Sequence, residues 1–298
     1  MSISGILVAL VTPFTADGSA IDEANLSHQV ERMVASGIHG IVPAGTTGEF
    51  TTLSHDERKR LTELVLKYAD GRVPVLPATG AQSTAETIDL SRHAQECGAA
   101  GVMVVPPYYD PLRMHELRAH LAAVGTSLDI PIVYYNVPGA TGLRLTPAEL
   151  ASLGDIPRVD YIKDTSGDFS AVTALLMEYP GKITTFNGWD TLTFAALATG
   201  ATGGVWGMSN LLPSLSVKLY EALAVQGDLA LGRRIWGVLW PVCDLLESYN
   251  YVAAIKGGLD ALGESAGPVR APLQPLDAAA RDRLGQLLAQ AREFEASL

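Results

Sequence analysis

The 298-residue chain is poor in charged side chains, in cysteine and in long hydrophobic runs. Charged residues make up 18% of the sequence and hydrophobic residues 48%, a composition that excludes an intrinsically disordered chain and predicts a large buried core. Basic residues are also scarce, 21 against 32 acidic ones, so the formal net charge is −11. This balance argues against nucleic acid or an anionic membrane surface as the main partner.

Cys97 and Cys243 are the only cysteines, too few for a disulfide scaffold or a four-thiolate zinc site. We interpret both as small buried apolar residues. The longest uncharged stretch, between Asp190 and Lys218, is interrupted by glycines and a proline and does not predict a bilayer span. The opening segment lacks the basic region and long apolar core of a secretory signal. These absences predict a cytoplasmic protein.

The dominant pattern is a short apolar run followed by a longer amphipathic segment. Helix-capping sequences open several of these segments, as where Glu57 follows Ser54 and Glu149 follows Thr146. Strands that are apolar on both faces predict a parallel sheet covered by helices. Eight consecutive units favour an α/β fold, a (β/α)₈ TIM barrel, over an open doubly wound sheet. The predicted strands are Ile6–Thr12, Gly40–Ala44, Val73–Ala78, Gly101–Val105, Pro131–Val137, Val159–Thr165, Ile183–Asn187 and Gly203–Met208.

The helical pattern continues beyond the eighth unit. We expect the barrel to occupy residues 1–226, with Leu212–Gln226 as its final helix, and residues 227–298 to form a C-terminal three-helix extension. The helices of this extension are predicted at Asp228–Ser248, Val252–Leu262 and Asp277–Ala296.

Lys163 stands near the end of the sixth predicted strand, and active sites of TIM barrels lie at the C-terminal ends of the strands. Alternation puts Val159, Tyr161 and Lys163 on one face of this strand. If that face points into the barrel, the amine is costly to desolvate and tends to lose its proton, the state that attacks a carbonyl. The alternative is a lysine that reaches solvent or pairs with a carboxylate.

Two further strand ends carry polar groups. Tyr134 and Tyr135 are adjacent, so one faces the barrel interior, where its phenol is able to shuttle protons beside Lys163; a core tyrosine is the alternative. Gly45–Glu49, with the sequence GTTGE, follows the second strand and suits a tight loop whose amides hold a carboxylate, although an ordinary turn is also consistent with it.

The sequence gives no reason to expect a metal or an organic cofactor. Its six histidines fall mostly on helical stretches and do not pair with carboxylates at strand ends, so a metal-dependent aldolase lacks its ligands. No dinucleotide or triphosphate fingerprint occurs. Lys256, which lies after the barrel, is interpreted as structural.

These motifs together resemble the dihydrodipicolinate synthase / N-acetylneuraminate lyase family. Order and spacing agree along nearly the whole chain. The matching segments are Gly45–Glu49 (GTTGE), Pro107–Tyr109 (PYY), Tyr134–Pro138 (YYNVP), Ile162–Asp168 (IKDTSGD) and Asn187–Asp190 (NGWD).

The resemblance implies a metal-free, class I mechanism in which Lys163 forms a Schiff base with pyruvate or another 2-oxo acid. It implies that Tyr135 is the general acid/base, relaying protons with Thr46 and with Tyr109, which in this family reaches in from a neighbouring subunit of a homotetramer. Thr46 and Thr47 would hold the carboxylate of the 2-oxo acid. Gly188, Asp190 and Val205 would line the substrate pocket.

One position departs from the family pattern. Dihydrodipicolinate synthases resemble YNVPxRTG, whose arginine grips the carboxylate of aspartate semialdehyde, and Ala140 stands at the arginine position here. A methyl group makes no such contact. We therefore expect an aldehyde partner of the 2-keto-3-deoxy sugar acid or 4-hydroxy-2-oxo acid type. Trp189 and Trp206 are expected to form an apolar wall at the mouth; the alternative is that both tryptophans pack against helices. The alternatives are 4-hydroxy-tetrahydrodipicolinate synthesis and a non-catalytic 2-oxo acid-binding barrel.

Overall fold

The computed structural model describes residues 3–298 of the chain. Seven parallel strands form one sheet in the order β2-β1-β7-β6-β5-β4-β3, and helical connections join the parallel strands. The strands are β1 Gly5–Ala9, β2 Gly40–Val42, β3 Val102–Val104, β4 Ile132–Asn136, β5 Val159–Asp164, β6 Thr184–Asn187 and β7 Gly203–Trp206.

The segment 73–78, predicted as the third of eight strands, forms only isolated bridges, Val75 to Ile41 and Ala78 to Met103. The physical reason is Pro74 and Pro77, which have no N–H to give to a ladder. Their carbonyls still accept from the amides of Ile41 and Met103, each at 2.9 Å. The segment therefore connects β2 to β3 and closes the barrel. The predicted TIM barrel is confirmed, but the prediction of a regular strand at Val73–Ala78 is wrong.

Helices alternate with the strands and cover the outside of the barrel. Capping side chains hold their first turns, for example the reciprocal bonds between Ser54 and Glu57 at the start of α2. The barrel helices are α1 Glu23–Ala35, α2 His55–Ala69, α3 Thr84–Glu96, α4 Met114–Thr126, α5 Pro138–Thr141, α6 Pro147–Ser152, α7 Phe169–Glu178, α8 Thr193–Thr199 and α9 Pro213–Tyr220, and a π-helical turn, Glu221–Gln226, extends the last.

The C-terminal extension consists of three helices, each within two residues of its predicted bounds: α10 Leu229–Glu247, α11 Tyr251–Ala261 and α12 Ala278–Ala296. Helix α10 packs on α8, α9 and α12. The division into domains at residue 226 stays a prediction, and residues 1 and 2 of the first domain lie outside the described residues. No helix within residues 3–298 is both long and apolar enough to cross a bilayer.

Side chains alternate between two environments. Tyr135, Tyr161 and Val205 belong to the cluster that fills the barrel interior, whereas Tyr134 and Ile162 pack with the surrounding helices. This alternation is the expected consequence of strand geometry.

The alternation fails at the start of β5. Val159, predicted to share the inward face of Lys163, packs in the outer layer. Ile132 pairs with Val159 and Val133 with Tyr161, so Asp160 is an extra residue in this register, and it is exposed. A bulge of this kind reverses the faces of the residues that precede it. Lys163, which lies beyond the bulge, keeps its predicted orientation.

Candidate active site

Lys163 and Tyr135 meet inside the barrel at the C-terminal ends of their strands. They are paired across β4 and β5, and both are buried. The Lys163 Nζ atom lies 4.1 Å from the centroid of the Tyr135 ring. Lys163 therefore does not extend into solvent, and the ion-pair alternative finds no carboxylate within 4 Å of its amine in residues 3–298. The amine is available to a ligand in the cavity.

Gly188 creates the space that the Lys163 side chain occupies. A Cβ atom at this position would lie 2.6 Å from Lys163 Cε and 2.2 Å from Thr165 Oγ1, closer than real Cβ contacts. The Thr165 hydroxyl is buried and has no hydrogen-bond partner among the described residues. Sequence reasoning missed Thr165, although it follows directly after the matched Lys163-Asp164 pair and its place at a strand end was a usable signal.

The loop Gly45–Glu49 is tightly wound. The Gly48 amide donates to the Gly45 carbonyl at 3.1 Å, and the Gly48 carbonyl accepts from Thr12 Oγ1 at 2.7 Å. A Cβ at Gly48 would lie 3.0 Å from the Ala44 amide nitrogen, so glycine fits the turn best. Within residues 3–298 the amides of Thr46 and Thr47 donate to no protein acceptor. Two free amides and two hydroxyls suit an anion such as a carboxylate.

A buried ion pair fixes this loop to the C-terminal extension. Glu49 Oε1 lies 2.5 Å from Lys256 Nζ, and both side chains are almost inaccessible. Lys256 also donates to the Pro268 carbonyl at 2.8 Å, and the Arg270 amide donates to Glu49 Oε2 at 2.9 Å. Burial lowers the pKa of Lys256, and Glu49 opposes that effect. Lys256 thus supports the site from outside it, in agreement with its interpretation as structural.

The far wall of the cavity contains an acidic network. Asp190 Oδ2 accepts a hydrogen bond of 2.5 Å from the Tyr251 hydroxyl. Burial raises the pKa of Asp190 to about 7, with Glu247 adding to the rise and Tyr251 opposing it. Glu247 accepts from both the amide and the hydroxyl of Thr191, at 2.9 and 2.8 Å. Sequence reasoning missed Tyr251 and Glu247, because they come from the extension.

These elements enclose a cavity of about 270 Å³. Most of the predicted site residues line it: Thr46, Thr47, Tyr135, Lys163, Gly188, Asp190 and Val205. Tyr109 does not; it is 85% exposed and lines a separate outer groove. Trp206 was expected at the mouth and this is wrong, because it is fully buried outside the barrel, 6.4 Å from Trp236 between ring centroids. Trp189 does line the cavity, as expected.

A buried lysine beside a tyrosine, at the C-terminal ends of the strands of a TIM barrel, is the arrangement that a class I, Schiff-base-forming lyase or aldolase needs. The family comparison agrees. The model of the dihydrodipicolinate synthetase family matches residues 2–291, and the chain belongs to this family. It is thus a class I pyruvate-dependent lyase, and the predicted family and enzyme class are confirmed.

Related proteins match nearly the full length of the chain. The 4-hydroxy-tetrahydrodipicolinate synthase of Thermomicrobium roseum is 39% identical over 287 residues, which are 96% of this chain and 94% of the relative. The protein of the same name from Sorangium cellulosum is 39% identical over 289 residues, which are 97% of this chain and 96% of the relative.

Solved structures agree with the fold. The chloride-inhibited dihydrodipicolinate synthase of Acinetobacter baumannii, complexed with pyruvate, superposes with a TM-score of 0.93 at 30% identity, over 98% of this chain and 99% of that one. YagE of Escherichia coli K12, a prophage protein of the dihydrodipicolinic acid synthase family in complex with pyruvate, superposes with a TM-score of 0.92 at 31% identity. The match covers 98% of this chain and 99% of that one.

Proposed function

We propose that the chain joins pyruvate, or a related 2-oxo acid, to an aldehyde through an imine on Lys163, or catalyses the reverse cleavage. The observation that carries this proposal is the buried Lys163 amine, over the Tyr135 ring at 4.1 Å and open to a cavity. The Thr46 and Thr47 amides and hydroxyls bind the carboxylate. A role as a passive 2-oxo acid-binding barrel is less well supported, because binding alone does not need a buried primary amine.

The reaction follows from these positions. The Lys163 nitrogen attacks the ketone carbon, and loss of water leaves the imine, with Tyr135 moving protons to the departing oxygen. Loss of a proton from the adjacent methyl carbon gives an enamine, because the imine accepts the electron pair. The enamine carbon then bonds to the aldehyde carbon, whose oxygen takes up a proton. Hydrolysis of the imine returns the free amine.

Aspartate semialdehyde is the first candidate aldehyde, which makes the activity 4-hydroxy-tetrahydrodipicolinate synthesis. The support is the shared name of relatives that are up to 39% identical over nearly the full chain. This was the alternative rather than the preferred interpretation of the sequence.

A second candidate, an uncharged hydroxylated aldehyde that yields a 2-keto-3-deoxy acid, is supported by the cavity wall. Lys163 is the only cationic side chain that lines the cavity in residues 3–298, whereas Asp190 and Glu247 both line it. Ala140, at the family's arginine position, is exposed on α5 and offers no partner for a second carboxylate. Hydroxyl groups are better partners than carboxylates for such a wall.

Borohydride reduction with pyruvate, followed by peptide mass mapping, tests the shared step. We expect one reduced pyruvate adduct, a 1-carboxyethyl group, on the Lys163 nitrogen, its loss in Lys163→Ala, and its retention in Lys182→Ala, which removes an exposed lysine elsewhere. An equal yield of adduct in wild type and Lys163→Ala would refute the proposal.

Turnover with aspartate semialdehyde and with glyceraldehyde separates the two candidates. The variant Ala140→Arg makes the comparison sharper. A charge-assisted hydrogen bond contributes about 1.5–3 kcal/mol. If aspartate semialdehyde binds poorly in the wild type, the variant should therefore raise kcat/KM for that substrate about 10- to 100-fold. High wild-type kcat/KM for aspartate semialdehyde, without a gain in the variant, would support the first candidate.

A homotetramer and a cytoplasmic location stay predictions of the sequence.

A further inference from the structure

We propose that Glu63, His93 and Cys97 form a binding site for Zn²⁺ between α2 and α3. The site lies at the N-terminal end of the barrel strands, the face opposite to Lys163. The adjoining surface cavity is lined by Val75, in the closing segment, and by Ala100, just before β3.

The three ligand atoms already converge. Cys97 Sγ lies 3.6 Å from His93 Nε2, and Glu63 Oε1 lies 3.3 Å from the same nitrogen. All three atoms are within 4.8 Å of one another. Ligand atoms held about 2.0–2.3 Å from one tetrahedral Zn²⁺ lie roughly 3.3–3.8 Å apart, so small side-chain movements complete the geometry.

The protein alone leaves this arrangement incompletely paired. A neutral imidazole nitrogen carries either a hydrogen or a lone pair, so His93 Nε2 is unable to donate to the Glu63 carboxylate and accept from the Cys97 thiol at the same time. A metal ion interacts favourably with the lone pairs of all three groups. Thiolate, imidazole and carboxylate are the ligand types that Zn²⁺ prefers, and water from the adjoining cavity is able to fill the fourth position.

The backbone holds the ligands in place. His93 lies in the last turn of α3, and Cys97 is the C-terminal cap residue, whose amide donates to the His93 carbonyl. Glu63 comes from the neighbouring helix α2, so a bound ion cross-links the two helices. His93 and Cys97 are four residues apart, which places them on one helix face and was the available sequence signal. The interpretation of Cys97 as a buried apolar residue is wrong, since it is half-buried and faces these polar groups.

Metal binding also changes the state of the thiol. When Zn²⁺ binds, the Cys97 thiol loses its proton to solvent as the Zn–S bond forms, so the bound sulfur is a thiolate.

Calorimetric titration of the chelator-treated full chain with Zn²⁺ tests the site. We expect one ion per chain and at least tenfold weaker binding in Cys97→Ser, His93→Ala and Glu63→Gln, since even changes beyond the direct ligands weaken metal sites by about 10–100-fold. His55→Ala is the matched control: His55 also connects α2 to α3, through Asp89 at 2.8 Å, but without a thiol, so this variant should bind like the wild type.

Titration with Co²⁺ adds a readout of the thiolate itself. We expect a thiolate-to-cobalt charge-transfer band in the wild type that disappears in Cys97→Ser, while pyruvate trapping on Lys163 shows that the variant is folded. Absence of Zn²⁺ binding in the wild type, equal affinity in wild type and Cys97→Ser, or Co²⁺ binding without the charge-transfer band would each overturn the proposal.

Discussion

Asp190→Asn should change how the stability of the protein depends on pH. The folded protein raises the pKa of Asp190 from 3.8 to about 7, because the carboxyl group is buried beside Tyr251 and near Glu247. Ionising this group in the folded state therefore costs about 4 kcal/mol more than in the unfolded chain. Asparagine has nearly the same shape and accepts the same hydrogen bond from Tyr251, but it has no charge to bury.

The sign follows from proton binding. Between about pH 4 and pH 7 the folded state retains the Asp190 proton while the unfolded chain has released it, so the stabilising effect of that proton is lost as the pH rises through this interval. Relative to wild type, Asp190→Asn should gain stability from pH 4 to pH 8, by up to about 4 kcal/mol.

Urea unfolding followed by circular dichroism at pH 4, 6 and 8 measures the effect. Asp160→Asn, which neutralises an exposed carboxylate on the bulge of β5, is the control and should show a nearly constant difference from wild type. If the free energies of unfolding of wild type and Asp190→Asn change in parallel with pH, the carboxyl group does not have a raised pKa and the argument from burial is refuted.

Gly188→Ala should reduce the yield of the pyruvate adduct, because the added methyl group meets the Lys163 side chain at 2.6 Å; an unchanged yield in the borohydride assay contradicts this. Lys256→Met should lower the free energy of unfolding in urea by about 3–5 kcal/mol, since Glu49 then remains buried without its cationic partner. Adding Glu49→Gln should recover part of the loss, and a further loss would argue against the pairing. Tyr109→Phe should slow steady-state turnover but still allow adduct formation on Lys163; unchanged turnover excludes a catalytic role for the Tyr109 hydroxyl.

The barrel could be predicted from the sequence because its signals are local. Apolar runs and helix caps repeat at short range, and alternation along β4 and β5 places Tyr135 and Lys163 on adjacent inward positions. Alternation gives the wrong face for Val159, because a bulge at Asp160 adds a residue to the register. The residues next to the bulge do not predict it from the sequence. Pro74 is visible in the sequence, but a proline interrupts a strand only where a neighbouring strand needs the N–H that proline lacks. That neighbour is set by the fold.

The acidic wall could not be predicted, because it depends on contacts between distant parts of the chain. Helical periodicity shows that α10 and α11 each have an apolar face, but not which part of the barrel that face covers. Tyr251 reaches Asp190 across 61 positions of sequence, and Glu49 meets its lysine partner from the other end of the chain. Similarly, Tyr109 is exposed and lines an outer groove rather than the cavity, a placement that no local pattern in the sequence indicates.

The position of Tyr251 has a consequence for biosynthesis. Its hydroxyl lies against Gly207, where a Cβ would come within 2.4 Å, so the phenol fits a notch that the last strand leaves open. A nascent chain that has completed all seven strands still lacks the part of the cavity wall that Tyr251 forms. The enclosure around the reactive amine is finished only after α11 leaves the ribosome and docks, so a competent pocket forms later than the last strand of the barrel.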